Sequence, residues 1–246
     1  KDIPSVDCVI FKDHEMLYRH MKGTNDKDKK IPVRENQQYL MFSMTKVQTM
    51  VAFMQLVEDG KISLEDNVSD YLPTYKDLLC ESRSGNAIDI VKCKTPMKIK
   101  HLVSMQSGLD YNLQRAGILR VLSEKGMYAT TRDIVEAFPE TPLKFEPGTH
   151  FLYSLSHDVI AAIIEIVSGK SFGEYLKENI WDRLGMNDTL FAEPMNYLSN
   201  LSQQFICDDK GDIVPMEQSC NYQLSEKYQS GGAGLISTTM DYARFA

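Results

Sequence analysis

Extended segments at both ends of the chain enclose a mostly helical stretch, and this order restricts the possible folds more than any single motif. Residues 5–21 alternate between apolar and polar side chains around a turn at 12–15, which predicts a β-hairpin. Residues 207–214 predict a second hairpin that turns at Lys210-Gly211. We therefore expect an α/β layer interrupted by an α-helical insertion.

Helical periodicity dominates the interval between these hairpins. Apolar residues at a spacing near 3.6 follow Ser43 and predict a helix that ends near Gly60. Ser171 and Glu174 have the spacing of a capping box, and Thr131 with Asp133 is a plausible helix start. Further helices are predicted at 97–105, 113–126, 131–138, 157–168 and 171–184. A polar surface loop is predicted at 76–95.

Composition narrows the class of protein and of partner. The chain has 246 residues, of which 43% are hydrophobic and 25% charged, as in a folded protein of one or two domains. Its net charge of −7 argues against binding to nucleic acid or to an anionic membrane surface. No apolar run approaches the roughly 20 residues of a membrane span. Residues 1–4 do not resemble a signal peptide, so the cytoplasm is favoured over export while localisation stays open.

The cysteines predict free thiols. Their number is odd and they are widely separated, which does not suit a disulfide framework, although Cys80 and Cys93 flank a polar stretch and could form a bridge. None has a C-x-x-C or Cys/His spacing typical of a metal site, so no metal is predicted. The five are Cys8, Cys80, Cys93, Cys207 and Cys220.

Ser43 is the first candidate for chemistry. It lies where an extended run, 38–42, changes to the helical pattern, and a helix would place Lys46 one turn away on the same face. A serine hydroxyl needs a neighbouring base, and a lysine can serve when burial lowers its pKa. The alternative is that Ser43 is an N-cap and Lys46 a solvated lysine of the first turn.

Tyr153 is the second candidate. The Pro147-Gly148 turn is followed by a short extended piece that delivers Tyr153 just before a helix. A tyrosine beside a buried lysine can shuttle protons, whereas an isolated tyrosine is usually an ordinary half-buried aromatic. His157 follows Tyr153, and it is retained only as a candidate that supports the other residues without contacting a substrate itself.

Several blocks, in order, resemble the serine β-lactamase and penicillin-binding protein superfamily, in its class C-like branch. The Ser-x-x-Lys motif of that superfamily is present at 43–46. The blocks that carry the resemblance are 43–46 (SMTK), 56–66 (LVEDGKISLED), 71–73 (YLP), 99–102 (IKHL), 107–109 (SGL), 145–149 (FEPGT), Tyr153-Ser154, 165–172 (EIVSGKSF), 184–189 (LGMNDT), 231–235 (GGAGL) and Ser237-Thr238.

The resemblance implies an α+β fold of the β-lactamase/transpeptidase type, with an antiparallel sheet flanked by helices and a mostly helical insertion. On this basis residues 1–75 form an α/β part with the nucleophile helix, 76–225 a mostly helical domain with the tyrosine motif, and 226–246 a return to the α/β part.

The resemblance also implies roles for individual residues. Ser43 forms an acyl-enzyme, and Lys46 and Tyr153 together move its proton. Substrate-binding positions fall on Ser154, Leu155 and Gln106. No cofactor or metal is implied, and the partner is a small-molecule or peptide substrate, with the oligomeric state open.

Two departures from the family pattern limit these implications. The usual Tyr-x-Asn motif has Leu155 in its third place, which removes an amide and weakens the case for penicillin hydrolysis more than the case for acyl-serine chemistry. The third family motif, expected after the glycine block, is not found before Ala246. We therefore expect the sheet to lack its C-terminal part and this chain to be a truncated form whose activity is in question.

Three functions remain at this point. The first is a serine hydrolase that cleaves an amide, an ester or a β-lactam, with an esterase or peptidase at least as well supported as a β-lactamase. The second is a catalytically inactive binding module on the same fold. The third is an unrelated α/β protein in which the motifs serve only packing.

Overall fold

A computed structural model describes residues 3–85, 87–191, 200–216 and 222–246. The strands are β1 (Ser5–Lys12), β2 (Glu15–Gly23), β3 (Gln38–Leu40), β4 (Leu79–Ser84), β5 (Ala87–Lys92), β6 (Leu190–Phe191), β7 (Phe205–Cys207), β8 (Ile213–Pro215) and β9 (Leu235–Thr238). The α-helices are α1 (Thr45–Glu58), α2 (Ile99–Val103), α3 (Ala116–Lys125), α4 (Thr131–Glu136), α5 (Ser156–Ser168), α6 (Phe172–Leu176), α7 (Asp182–Leu184) and α8 (Thr239–Phe245).

The chain forms two compact units. The first comprises residues 1–41, 178–221 and 234–246, and the second comprises 42–177 and 222–233. The helix that follows Ser43 and the segment that carries Tyr153 therefore belong to the same unit. The domain boundaries predicted at 75 and 225 remain predictions.

The first unit holds an antiparallel sheet in the order β3-β9-β6. All four residues of the central strand β9 are buried, as expected for a strand covered on both faces. The two predicted hairpins are confirmed as β1–β2, which turns between Lys12 and Glu15, and β7–β8. Helix α8 packs against β1 and β9.

The second unit is built around helix α5. This helix packs against α1, α2, α4 and α6, and its residues from Val159 to Ile164 are fully buried. The run Val159-Ile160-Ala161-Ala162-Ile163-Ile164 is apolar all round, which is the pattern of a helix enclosed by others. Because it is packed on several sides, α5 gives its first turn a defined position inside the unit.

The predicted surface loop at 76–95 is wrong, because β4 and β5 pair there as an antiparallel hairpin from Leu79↔Lys92 to Ser84↔Ala87. Cys80 is the buried residue of β4, and all of β5 is exposed. Without a buried face, the apolar alternation that marks a strand is weak. The segment before Glu146 pairs with this hairpin through Leu143. The backbone N–H of Glu81 donates to the Leu143 carbonyl, and the backbone N–H of Leu143 donates to the Leu79 carbonyl, both at 2.8 Å.

The predicted helices form with small shifts in their limits. Gly60 has a φ of +68° just after α1, which suits a glycine that ends a helix. The capping box of Ser171 and Glu174 is confirmed, while Thr130, rather than Thr131, caps α4. The helix predicted at 171–184 is divided by a π-helical segment, Lys177–Trp181. Within the described ranges, no helix combines the length and apolar character needed to cross a membrane.

Ile163→Ala tests whether α5 is the centre of the second unit. Ile163 is fully buried, so the truncation should lower the free energy of unfolding by roughly 2–5 kcal/mol through lost burial and a residual cavity. Leu119→Ala, at a 46% exposed position of α3, is the control and should cost much less. Urea denaturation of both variants measures the difference, and equal losses would contradict the central role of α5.

Candidate active site

Ser43 and Lys46 lie one turn apart at the start of α1. Ser43 is exposed within a 3-10 turn, Phe42–Met44, and Met44 occupies the N-cap of α1. Lys46 is only 7% exposed, and its Nζ lies 3.3 Å from Ser43 Oγ. The alternative of an N-cap serine beside a solvated lysine is therefore wrong.

The Lys46 ammonium donates three hydrogen bonds. Besides Ser43 Oγ, the acceptors are the Gly232 carbonyl at 2.7 Å and Tyr111 Oη at 3.1 Å. An ammonium has three N–H donors, so these contacts use all of them. A buried charge is tolerated only when it is hydrogen-bonded in this way, and the contacts hold Lys46 in one place beside the serine.

Tyr153 completes the cluster from the other side of the serine. Its Oη donates a hydrogen bond to Ser43 Oγ at 2.7 Å, and Lys46 Nζ lies 4.7 Å from the centroid of its ring. Desolvation by itself would raise the pKa of Tyr153, but the interactions with Lys46 and Ser43 outweigh it, and the net pKa is lowered. Tyr153 is thus poised to lose a proton more readily than an ordinary tyrosine.

The glycine block at 231–234 is what allows Lys46 its shortest contact. A Cβ on Gly232 would lie 2.7 Å from Asp158 Oδ2 and 3.5 Å from Lys46 Nζ, so a side chain there would crowd both charged groups. A Cβ on Gly231 would lie 2.3 Å from the His157 carbonyl oxygen. The Gly231 carbonyl accepts a hydrogen bond from Thr49 Oγ1 of α1 at 2.7 Å. These glycines let the backbone approach both α1 and α5.

Asp158, in the first turn of α5, holds the glycine block in position. Its Oδ1 accepts hydrogen bonds from Ser230 Oγ at 2.6 Å and Tyr228 Oη at 2.7 Å. Ser230 Oγ in turn accepts the backbone N–H groups of Gly232 and Ala233. Burial raises the pKa of Asp158, while these hydrogen bonds and the charge of Lys46 act in the opposite direction. The network links the buried helix α5 to the carbonyl that receives Lys46.

His157 is buried in the first turn of α5, next to Asp158, and is a supporting residue of the site. Desolvation, together with the charge of Lys46, lowers its pKa to about 4. Its imidazole is therefore neutral at physiological pH and adds no positive charge beside Lys46.

The three predicted substrate-binding residues occupy different environments. Ser154 is fully buried and its hydroxyl contacts Ser156 Oγ at 2.8 Å, while Leu155 is 1% exposed. The side chain of Gln106 accepts a hydrogen bond from Ser104 Oγ, and its carbonyl accepts the Gly148 N–H. Substrate contact by these residues stays a prediction, and their observed contacts are those of residues that position the tyrosine segment.

Four aromatic side chains form a connected cluster that adjoins Ser43. The ring of Tyr111 stacks on that of Tyr153, with centroids 5.6 Å apart, and meets Tyr222 edge to face. Tyr222 also contacts Phe42. Phe42 has a φ of +44°, which is strained for a bulky residue and lies directly before the serine. Tyr153 contacts Ser43 and Phe42 precedes it, so an aromatic border begins at the serine and continues to Tyr111 and Tyr222.

The described cysteines are free thiols, as predicted, and Cys220 lies outside the described residues. The possible bridge between Cys80 and Cys93 is not formed. Burial raises the pKa of Cys80 and, with its contact to Cys80, raises that of Cys93 to about 12. Neither of these two is suited to act as a thiolate nucleophile.

Sequence reasoning missed three participants: Tyr111, Asp158 and the Gly232 carbonyl. Tyr111 follows the SGL turn at 107–109, a block already matched to the family, and that proximity was the available signal. Asp158 carries no sequence signal of its role, because nothing in the sequence shows that the first turn of α5 is buried against 228–232. The role of a backbone carbonyl leaves no trace in side-chain patterns.

Comparison with known proteins is consistent with this geometry. The family model described as Beta-lactamase matches residues 1–246, so the chain belongs to the beta-lactamase family, within the serine beta-lactamase/transpeptidase superfamily. The fold is that of this superfamily, as the structural neighbours show.

The chain is similar to two curated relatives and to one solved structure that act on acyl groups by their names. The chain is 32% identical to acyltransferase calJ of Penicillium decumbens over 222 residues, which cover 86% of this chain and 52% of that protein. It is 26% identical to esterase EstB of Burkholderia gladioli, with coverage of 96% and 63%. The structure of EstCE1, described as a hydrolase with promiscuous acyltransferase activity, matches with a TM-score of 0.73 and 25% identity, covering 98% of this chain and 66% of that one. The chain thus spans half to two thirds of the length of these proteins.

His157→Gln should reduce the sensitivity of the fold to acid. The unfolded chain protonates this histidine near pH 6.5, whereas the folded chain does so only near 4, so stability is lost as the pH falls between these values. The cost to the wild type is about 3 kcal/mol, and the variant should lose that much less between pH 7 and pH 4.

Urea denaturation at the two pH values, with His20→Gln as the exposed control, provides the measurement. An acid-dependent loss of stability that is identical in the wild type and in His157→Gln would contradict the assignment.

Proposed function

We propose that this protein is a serine hydrolase that cleaves carboxylic esters through an acyl-enzyme on Ser43. The observation that carries the proposal is the convergence of Tyr153 Oη, at 2.7 Å, and Lys46 Nζ, at 3.3 Å, on the exposed Ser43 Oγ. A nucleophile, a proton acceptor and a group that orients the acceptor constitute the minimum set for covalent acyl transfer.

Tyr153 is the immediate acceptor of the serine proton in this proposal. Its oxygen is the nearer of the two to Ser43 Oγ, and all three donors of the Lys46 ammonium are already used. Lys46 therefore acts by stabilising the Tyr153 phenolate, the form that can accept a proton, which is the direction in which it shifts the pKa of Tyr153.

The reaction follows from this arrangement. The reactive form has Tyr153 as phenolate. As Ser43 Oγ attacks the ester carbonyl carbon, its proton passes to the phenolate oxygen of Tyr153, and the backbone N–H of Ser43 can donate to the developing oxyanion. Tyr153 then returns the proton to the departing alkoxide, which leaves as an alcohol and produces the acyl-enzyme. The regenerated Tyr153 phenolate then takes a proton from water as the water attacks the acyl carbon. The bond to Ser43 Oγ breaks, Tyr153 returns the proton to Ser43 Oγ, and the carboxylic acid is released.

An ester is favoured over a β-lactam on two grounds. Leu155 replaces the amide side chain that the family usually carries in its second motif. The aromatic border formed by Phe42, Tyr111 and Tyr222 suits an apolar acyl or alkoxy group. The curated relative named esterase EstB supports the same choice.

Transfer of the acyl group to an alcohol, rather than to water, is the second candidate. The 32% identical relative is named an acyltransferase, and EstCE1 is described as having promiscuous acyltransferase activity. Both reactions share the acyl-enzyme, so product analysis with and without added alcohol separates them.

Ser43→Ala tests the nucleophile. A fluorophosphonate should attach to the wild-type protein at Ser43, because among the described serines only this one is hydrogen-bonded to both Lys46 and Tyr153, and the variant should not be labelled. Ser104→Ala, at another exposed serine, should be labelled like the wild type. Peptide mass spectrometry locates the adduct, and labelling that survives Ser43→Ala would refute the assignment.

Tyr153→Phe tests the proton acceptor, since it removes the hydroxyl and keeps the ring that stacks on Tyr111. With an aryl ester, kcat/KM should fall by roughly 10²–10⁴-fold. In the wild type the rate should rise with pH as the acceptor loses its proton, with a midpoint below the ordinary tyrosine pKa of about 10, because that pKa is lowered. The variant should lose this rise.

The matched control is Tyr128→Phe, at a tyrosine that is 76% exposed, and it should behave as wild type. If Tyr153→Phe retains wild-type kcat/KM and the same pH profile, Tyr153 is not the acceptor.

A further inference from the structure

Cys80, Cys93 and Glu146 form a cluster that the proposed reaction does not use. Cys80 is on β4, Cys93 follows β5, and Glu146 lies in the turn segment 145–149. One ligand atom from each, two thiol sulfurs and a carboxylate oxygen, lie within 4.8 Å of one another. They are 13 and 53 residues apart in the chain, so only the fold brings them together.

The hairpin places the two sulfurs on one face. Cys80 pairs with Val91, and Cys93 lies two residues further along the second strand, where its N–H donates to the Leu78 carbonyl at 2.9 Å. Side chains two residues apart point to the same side of a strand, so Cys80 and Cys93 are diagonal neighbours. The two thiols are close enough to interact with each other.

Glu146 is held so that one carboxylate oxygen faces the thiols. Its Oε1 accepts the backbone N–H of Thr95 at 2.5 Å, and its Oε2 lies 3.5 Å from Cys80 Sγ. The backbone hydrogen bonds of Leu143 to Leu79 and Glu81, the neighbours of Cys80 in β4, fix the chain three residues before Glu146. Outer hydrogen bonds of this kind orient the ligands of metal sites.

The spacing of these donors suits a tetrahedral cation. Zinc binds sulfur at about 2.3 Å and carboxylate oxygen at about 2.1 Å, so the S···O edge of its tetrahedron is about 3.6 Å. The 3.5 Å between Cys80 Sγ and Glu146 Oε2 agrees with that edge. Two sulfurs and one carboxylate are a donor set that favours zinc over magnesium or calcium, which prefer oxygen alone.

We propose that Cys80, Cys93 and Glu146 bind one Zn²⁺ ion, with water in the fourth position. The ion would join the β4–β5 hairpin to segment 145–149, which ends four residues before Tyr153. It stabilises the segment that carries the tyrosine and takes no part in the reaction at Ser43, so the proposal does not depend on the ester-cleaving activity.

Cobalt provides the direct test, because Co²⁺ occupies zinc sites and absorbs strongly when thiolates bind it. When Co²⁺ is added to reduced, metal-free protein, a thiolate-to-cobalt charge-transfer band should appear. It should saturate at one equivalent of Co²⁺ and disappear when Zn²⁺ is added. Cys80→Ser and Cys93→Ser should abolish the two-thiolate spectrum, and Glu146→Gln should weaken cobalt affinity at least about tenfold. Cys8→Ser and Cys207→Ser, at exposed thiols outside the cluster, should bind as wild type.

A second measurement needs no variant and so does not depend on how Cys80→Ser folds. Zn²⁺ should slow the alkylation of Cys93 by iodoacetamide by tenfold or more, while Cys8 and Cys207 react at an unchanged rate, as mapped by peptide mass spectrometry. Absence of a charge-transfer band in the reduced wild type would overturn the proposal, as would unchanged alkylation of Cys93. A Cys80–Cys93 disulfide in unreduced protein, together with no cobalt binding after reduction, would also overturn it and identify a redox pair instead.

Discussion

The hydrogen bond from Lys46 to the Gly232 carbonyl is the interaction on which the arrangement of the site depends. It is the shortest of the three bonds made by a nearly buried ammonium, and it fixes where that charge lies relative to Ser43. Burying an ammonium without partners is costly, so the surrounding structure must present acceptors at the right places. Both the glycine block and Tyr111 are positioned to do so.

The acceptors are held by elements that have no direct part in the chemistry. Asp158 accepts a hydrogen bond from Ser230, and Ser230 Oγ accepts hydrogen bonds from the backbone amides of Gly232 and Ala233. The Gly232 carbonyl that binds Lys46 is therefore anchored to the first turn of α5. Helix α5 is in turn packed on several sides by apolar residues. The hydrophobic packing of α5 in the second unit therefore fixes the position of the Lys46 ammonium.

A strained residue and two exposed side chains lie at the serine. Phe42 adopts a positive φ immediately before Ser43, and Ser43 and Tyr153 remain accessible while Lys46 is buried. This distribution separates the two tasks of the site. The exposed groups can meet a substrate, and the buried group keeps its charge in a region of low dielectric, where it influences the phenol more strongly than it would in water.

The amino-acid sequence by itself determined the helix after Ser43, the two predicted hairpins, the helical middle and the spacing of Ser43 and Lys46 by one helical turn. Each of these rests on local periodicity or on residues one helical turn apart, which a linear pattern records. It missed the β4–β5 hairpin, whose strands bury almost no face, and it could not assign a partner to Asp158 or Tyr111. Only the tertiary structure decided that Tyr153 meets Ser43 across 110 residues, and that Cys80, Cys93 and Glu146 converge. Those contacts depend on how buried helices and paired strands stack, and packing of residues distant in the chain leaves no periodic signal in one sequence.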